Sequence, residues 1–81
     1  MANKSWEEDR IRLRSALKHI RKEKGQLTQQ ELSNLLGKPQ SYVSKYENGE
    51  RKLDYIEVLG ICRALKVSVS EFNTIFESLK N

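Results

Sequence analysis

Four polar side chains near the middle of the chain have the types and the spacing for hydrogen bonding to the edges of nucleic-acid bases. They are Gln40, Ser41, Ser44 and Lys45. A glutamine amide can bond adenine at two atoms, a lysine can bond guanine, and a serine can bond several base edges. Val43 and Tyr46, spaced i and i+3, would turn to the opposite side of a helix and hold it down. The pattern predicts a helix around residues 40–48 with a polar outer face.

A second short helix is predicted just before this one. Gly37 supplies the backbone freedom for a tight turn between the two helices. Ser33, four residues earlier, is small enough for the helices to pack closely. Two helices joined in this way form the layout that places a helix in the DNA major groove. The sequence therefore predicts a helix-turn-helix over about residues 28–48.

Capping boxes mark four helix starts, each a Ser, Thr or Asp followed three residues later by Glu. They are Ser5–Glu8, Thr28–Glu31, Asp54–Glu57 and Ser68–Glu71. The helix after Gly37 lacks such a box and brings the number to five. The predicted fold class is all-α: a compact five-helix domain over residues 1–81, with its core at about residues 10–77.

Each predicted helix carries one apolar stripe at helical spacing. The stripes are Leu13, Ala16, Leu17 and Ile20; Leu32, Leu35 and Leu36; Val43 and Tyr46; Tyr55, Val58, Leu59, Cys62 and Leu65; and Phe72, Ile75, Phe76 and Leu79. Four apolar residues fit the stripes poorly, namely Trp6, Ile11, Ile56 and Ile61. They are predicted either to be ordinary exposed hydrophobic residues or to contribute to a dimer contact.

Composition argues against catalysis, metal binding and membrane insertion. The 81 residues contain one cysteine and one histidine, which excludes an internal disulfide and a cysteine-rich metal site. Cys62 falls on an apolar stripe and is predicted to pack in the core, and His19 to be a solvated surface residue. With no phosphate-cradling glycine loop and no apolar run of membrane-spanning length, we expect no enzyme activity, cofactor, small-molecule ligand or membrane partner, and a cytoplasmic, nucleoid-associated location.

Charge is distributed unevenly along the chain. Residues 1–52 hold twelve Lys and Arg against seven Asp and Glu, whereas residues 53–81 hold three against four. The positive field therefore lies on the half that carries the helix-turn-helix pattern, where phosphates would sit.

Over about residues 10–77 the chain resembles the Xre-type, phage Cro/repressor-like helix-turn-helix family. The resemblance rests on the residues at 27–32 (LTQQEL), Gly37, the residues at 40–49 (QSYVSKYENG) and those at 64–68 (ALKVS). It implies a five-helix domain that binds operator DNA, commonly as a dimer. The base-facing positions of the family match Gln40, Ser41, Ser44 and Lys45.

The resemblance also implies roles outside the base-reading helix. Gln29 matches a glutamine that fixes the second helix against a phosphate. Arg21 and Glu47 match a structural ion pair that ties the first helix to the end of the third, and a planar guanidinium suits a carboxylate well. The flanking residues Lys38, Tyr42, Asn48, Arg51 and Lys52 are further candidates for contacts with the DNA backbone.

Three features depart from the family pattern. Lys38-Pro39 stands where a Ser or Thr often caps the base-reading helix, and Pro is predicted to occupy the first helical position. Gln26 is an extra residue between Gly25 and Leu27, which we expect the loop to absorb. Tyr42 stands where smaller residues are frequent, so it is predicted either to touch sugar or a thymine methyl group, or simply to cover the helix.

These observations predict a sequence-specific double-stranded DNA-binding transcriptional regulator, a repressor in the usual family setting. A homodimer on an inverted repeat is expected because one small helix reads few base pairs. The alternative is an antitoxin-like or other protein-binding module with secondary DNA binding. Single-stranded RNA binding is less well supported because the polar face lacks an aromatic stacking platform.

Overall fold

The computed structural model describes residues 2–79, with side chains from Trp6 onward, and the regular secondary structure of that range is all helical. The five helices are α1 (Ala2–Ile20), α2 (Gln29–Leu35), α3 (Ser41–Glu47), α4 (Tyr55–Ala64) and α5 (Val69–Ser78). The predicted all-α, five-helix fold is therefore confirmed.

Three of the four predicted N-cap side chains accept the predicted hydrogen bond. Thr28 and Asp54 each accept a hydrogen bond from the backbone N–H three residues on, and the glutamates there accept one in return. Ser68 accepts a hydrogen bond from the Glu71 N–H at the start of α5. The prediction for Ser5 is wrong, since α1 already runs from Ala2 and Ser5 lies inside it. Ala and Lys favour helix, so the residues before Ser5 continue it.

The core is formed mainly by the predicted stripes. Its fully enclosed side chains include those of Leu17, Ile20, Leu32, Val43 and Tyr46. The Arg12 guanidinium lies 5.0 Å from the ring centroid of Phe76 on α5, and Lys24 forms an ion pair with Glu71. These contacts join α5 to α1 and to the turn that follows it.

Four assignments to the stripes are wrong. Leu79, just after the end of α5, is 40% exposed. Leu35 and Tyr55 are 62% and 68% exposed, whereas Ile61 is only 1% exposed. Leu35 is the last residue of the short α2 and Tyr55 the first of α4, so both project beyond the neighbouring helices. On α4 the buried side comprises Ile61, Cys62 and Leu65, so Ile61 joins two residues of the predicted stripe on the inward face.

Gln26, which the sequence analysis interprets as an extra residue, directly follows a turn of π-helix over Arg21–Gly25 at the end of α1. A π-helical turn holds one more residue than an α-helical turn. Gln26 then adopts a left-handed conformation (φ 52°), and its N–H donates to the Arg21 carbonyl. If Gln26 is an extra residue, the helix end therefore helps to accommodate it, together with the loop.

The turn between α2 and α3 is a Schellman motif. Gly37 has φ +67°, its N–H donates to the Asn34 carbonyl, and the Lys38 N–H donates to the Ser33 carbonyl. The prediction that Gly37 supplies a special backbone conformation is confirmed.

Candidate nucleic-acid interface

The start of α3 is capped by a side chain from α2. Helix α3 begins at Ser41, and the preceding Gln40 makes no capping bond with its side chain. Instead the buried Ser33 hydroxyl accepts a hydrogen bond from the Val43 N–H and donates one to the Gln40 carbonyl, both at 3.3 Å. Pro39 lies before the cap, so the prediction that it occupies the first helical position is wrong. The Gln40 side chain is thereby left on the surface.

The polar face of α3 borders an open notch against the start of α2. The notch is lined by Thr28, Gln29, Gln30, Gln40, Ser41 and Ser44. Gln40, Ser41 and Lys45 are exposed, and Ser44 is half-buried with its hydroxyl donating to the Ser41 carbonyl. The structure therefore brings three of the four predicted base-facing residues to one notch, with Lys45 exposed further along α3.

Gln30 is an additional polar residue at this notch. It is exposed on the first turn of α2 and was missed by the sequence reasoning, which examined only α3 for base-facing positions. The distance of Gln30 from the side chains of α3 depends on the angle between α2 and α3. The spacing of residues within one helix does not determine that angle.

Behind the notch, Glu47 joins three segments of the chain. The Arg21 guanidinium donates to both carboxylate oxygens of Glu47, at 2.7 and 3.1 Å, and to the Leu27 carbonyl at 2.7 Å. The Gln29 amide donates to the same carboxylate at 2.8 Å. The side chains of Arg21 and Glu47 are 8% and 3% exposed, so this two-pronged pair is shielded from water.

The Gln29 side chain has a hydrogen-bond partner within the protein, which a role in phosphate contact alone does not predict. Its amide is held by Glu47, so it connects the start of α2 to the end of α3. The amide retains a second N–H with which to meet a phosphate.

A second polar cluster surrounds the ring of Tyr42. The ring is 8% exposed, and its hydroxyl donates to the Glu57 carboxylate at 3.1 Å. Burial, followed by the hydrogen bond with Glu57, raises the pKa of Tyr42. Arg51 forms an ion pair with the same carboxylate oxygen. Of the two roles predicted for Tyr42, this placement favours covering the helix over touching DNA.

The remaining candidates for backbone contact lie on the surface after α3. Asn48 and Glu50 form a local turn in which the side-chain Oδ1 of Asn48 accepts from the Glu50 N–H and its side-chain amide donates to the Glu50 carboxylate. Lys38, Arg51 and Lys52 are exposed. In the sequence, Lys38 precedes α3 and Arg51 and Lys52 follow it. Cations before and after a helix are expected where that helix binds a polyanion.

No group of three or more His, Cys, Asp or Glu side chains in the described part of the chain is placed to hold a metal ion. Among residues 2–79, no helix is both long and apolar enough to cross a membrane. Cys62 is buried and burial raises the pKa of its thiol, while His19 is exposed, so both lie where the sequence analysis predicts.

Comparison with protein families gives one finding. A family model described as helix-turn-helix, of the Xre-like Cro/C1 type, matches residues 17–72. The match includes both helices of the predicted motif and the Arg21–Glu47 pair. Neither the comparison with curated proteins nor the comparison with solved structures gave a match.

Proposed function

This chain belongs to the Xre-like helix-turn-helix family of DNA-binding regulators, and we propose that within this class it recognises a specific operator sequence. In the proposal α3 enters the major groove, and Gln40, Ser41, Ser44 and Lys45 bond base edges. The observation that carries it is the polar notch between α2 and α3, whose geometry is set from behind by the buried Arg21–Glu47 pair.

Contacts with the DNA backbone would position the helix. Gln29, Lys38, Asn48, Arg51 and Lys52 are the candidates, and phosphate contacts of this kind fix register without reading sequence. The excess of positive charge in residues 1–52 supports this assignment. In this proposal Tyr42 supports neighbouring side chains that bind DNA. Its hydroxyl makes no contact with DNA, because it is hydrogen-bonded to Glu57.

We further propose that the protein acts as a homodimer and as a repressor. A seven-residue α3 reads few base pairs, and two copies on an inverted repeat would multiply the specificity. Tyr55 and Ile56 are 68% and 71% exposed at the start of α4, and we assign this apolar pair to the dimer contact. A dimer bound at a promoter would block transcription.

The direct test is selection of bound sequences from a random duplex DNA library at moderate salt. We expect an enriched inverted repeat with half-sites about one helical turn apart, roughly 34 Å. Sedimentation of the complex should give two protein chains per repeat. Folded protein that enriches no sequence would contradict the proposal and favour a protein-binding role.

Replacing Lys45 tests the base-reading assignment. If Lys45 bonds guanine, Lys45→Ala should weaken binding to the selected site by about 1–3 kcal/mol and relax specificity at one base position. Arg63→Ala, which removes an exposed cation from α4, is the matched control and should keep the sequence preference. A Lys45→Ala protein with unchanged preference at every position would contradict the assignment.

A further inference from the structure

The ring of Tyr42 lies close to two cations, one that precedes α3 in the sequence and one that follows it. The Lys38 Nζ lies 5.5 Å from the ring centroid of Tyr42, and the Arg51 guanidinium carbon lies 5.1 Å from it. Lys38 precedes α3 and Arg51 follows it. Distances of this size allow cation–π attraction to the ring. The two cations can be no farther apart than the sum of those two distances.

The Tyr42 side chain is itself held by two contacts, one with another ring and one through its hydroxyl. Its ring centroid lies 5.7 Å from that of the enclosed Tyr46, with the rings nearly perpendicular at 77°. Its hydroxyl donates to Glu57. The Glu57 carboxylate in turn accepts a hydrogen bond from the Asp54 N–H at the start of α4. The ring is thus a rigid support that connects α3 to α4.

Arg51 is held by two of these groups at once. Its guanidinium lies over the Tyr42 ring and pairs with the Glu57 carboxylate. Hydrogen bonding to Glu57 and Tyr42 raises the pKa of Arg51. Its side chain remains 45% exposed, so other guanidinium N–H groups can meet a ligand.

We propose that Tyr42 is a positioning residue that holds Lys38 and Arg51 together as a two-cation clamp for neighbouring phosphates of one DNA strand. The inference rests on the proposed function and assigns this pair of cations to a single phosphate-binding element. Phosphates follow one another every 3.4 Å of helix axis along a strand, so cations gathered on one ring can reach neighbouring ones. Because the ring already orders both side chains, binding loses less conformational entropy.

A double-mutant cycle on DNA affinity tests the proposal with full-length protein and the selected DNA. Lys38→Ala/Arg51→Ala should reduce the salt slope of binding by about two, since each lost phosphate contact lowers it by about 0.9. Tyr42→Leu should weaken binding between about three- and tenfold in the wild-type background. In the Lys38→Ala/Arg51→Ala background it should have no further effect, because the groups it positions are gone.

Two control variants separate positioning from folding. Tyr42→Phe keeps the ring and should bind within about twofold of wild type. Val43→Ala removes buried volume from the next position of α3, and should lower thermal stability while leaving the salt slope unchanged. All affinities are measured below the onset of unfolding of each variant.

Three results would overturn the clamp. The first is an equal loss of affinity for Tyr42→Leu in both backgrounds, which would make its role structural. The second is wild-type affinity for Tyr42→Leu. The third is an unchanged salt slope for the variant lacking both cations. In each case a wild-type protein that still selects an operator leaves the proposed function standing, whereas a failure to select any DNA overturns both.

Discussion

The hydroxyl of Tyr46 is buried and finds no hydrogen-bond partner among the side chains and backbone of the described residues. Its neighbour Tyr42 is also buried, yet its hydroxyl donates to Glu57. The two tyrosines lie four residues apart on α3, and only the hydroxyl of Tyr42 has a partner. A buried polar group without a partner costs free energy, whereas a paired one contributes about 1 kcal/mol.

Removing the two hydroxyls should therefore have opposite effects. We expect Tyr46→Phe to leave the free energy of unfolding unchanged or raise it by up to about 1 kcal/mol, and Tyr42→Phe to lower it by about 1 kcal/mol. Urea denaturation of the three proteins gives the comparison. A loss of more than about 1 kcal/mol in Tyr46→Phe would show that its hydroxyl is paired after all.

Contacts between residues far apart in the sequence are the ones that the sequence predicts least well. The contact between Arg21 and Glu47, 26 residues apart, was anticipated only through the family resemblance, because no local pattern pairs residues at that separation. The cluster of Tyr42, Arg51 and Glu57 was not anticipated. It depends on the path of the chain from α3 to α4, which neither helical periodicity nor capping signals determine.

Among the elements, α3 is unusual in depending on α2 for its cap. The Ser33 hydroxyl satisfies the Val43 N–H, so Ser33→Ala should lower the free energy of unfolding by about 1–2 kcal/mol. Ser41→Ala, which changes an exposed serine on α3 itself, is the matched control and should cost less than about 0.5 kcal/mol. Similar stabilities for the two variants would contradict the capping role.

Replacing each of two glycines that have open space around them with alanine should change the free energy of unfolding in opposite directions. An added Cβ meets nothing within 4 Å at Gly60 or at Gly37. Gly60 lies within α4, so Gly60→Ala should raise the free energy of unfolding by about 0.5–1 kcal/mol. Gly37 has φ +67°, and Gly37→Ala should lower it by about 1 kcal/mol because alanine is strained there. Thermal denaturation of both variants tests the contrast in sign.

Helix identity was easier to predict from sequence than the orientation of each helix. Capping boxes located the starts of α2 and α4 because they are local hydrogen-bonded structures. The errors at Leu35, Tyr55 and Ile61 concern which side of a helix faces inward. That depends on the neighbours against which the helix packs, and in a helix of seven or ten residues a single position shifts the buried side.

For the molecule as a whole, three buried acids make stability sensitive to alkaline pH. Burial raises the pKa of Tyr46, Tyr42 and Cys62. A raised folded-state pKa gives stability that is fully present below the unfolded-state value and is lost as the pH rises through the folded-state value. The unfolded-state values are about 8.5 for cysteine and about 10 for tyrosine. We therefore expect stability to fall from about pH 8.5, and more steeply above pH 10.

Urea denaturation at several values between pH 8 and pH 11 measures this effect. Tyr46→Phe removes one of the three acids and should make the decline above pH 10 shallower. Tyr55→Phe, at a tyrosine that is 68% exposed, should keep the wild-type profile. Identical profiles for the two variants would show that burial of Tyr46 is not the cause.

The π-helical turn at Arg21–Gly25 bears on how genes for this fold can change length. In a regular α-helix one added residue rotates everything after it by about 100°, which would carry Arg21 or its partner out of reach. Here the wider turn and the left-handed Gln26 take up the added residue, and Arg21 still meets Glu47. We therefore expect that one residue gained or lost at this junction leaves the Arg21–Glu47 contact in place, and that differences in length between relatives fall there.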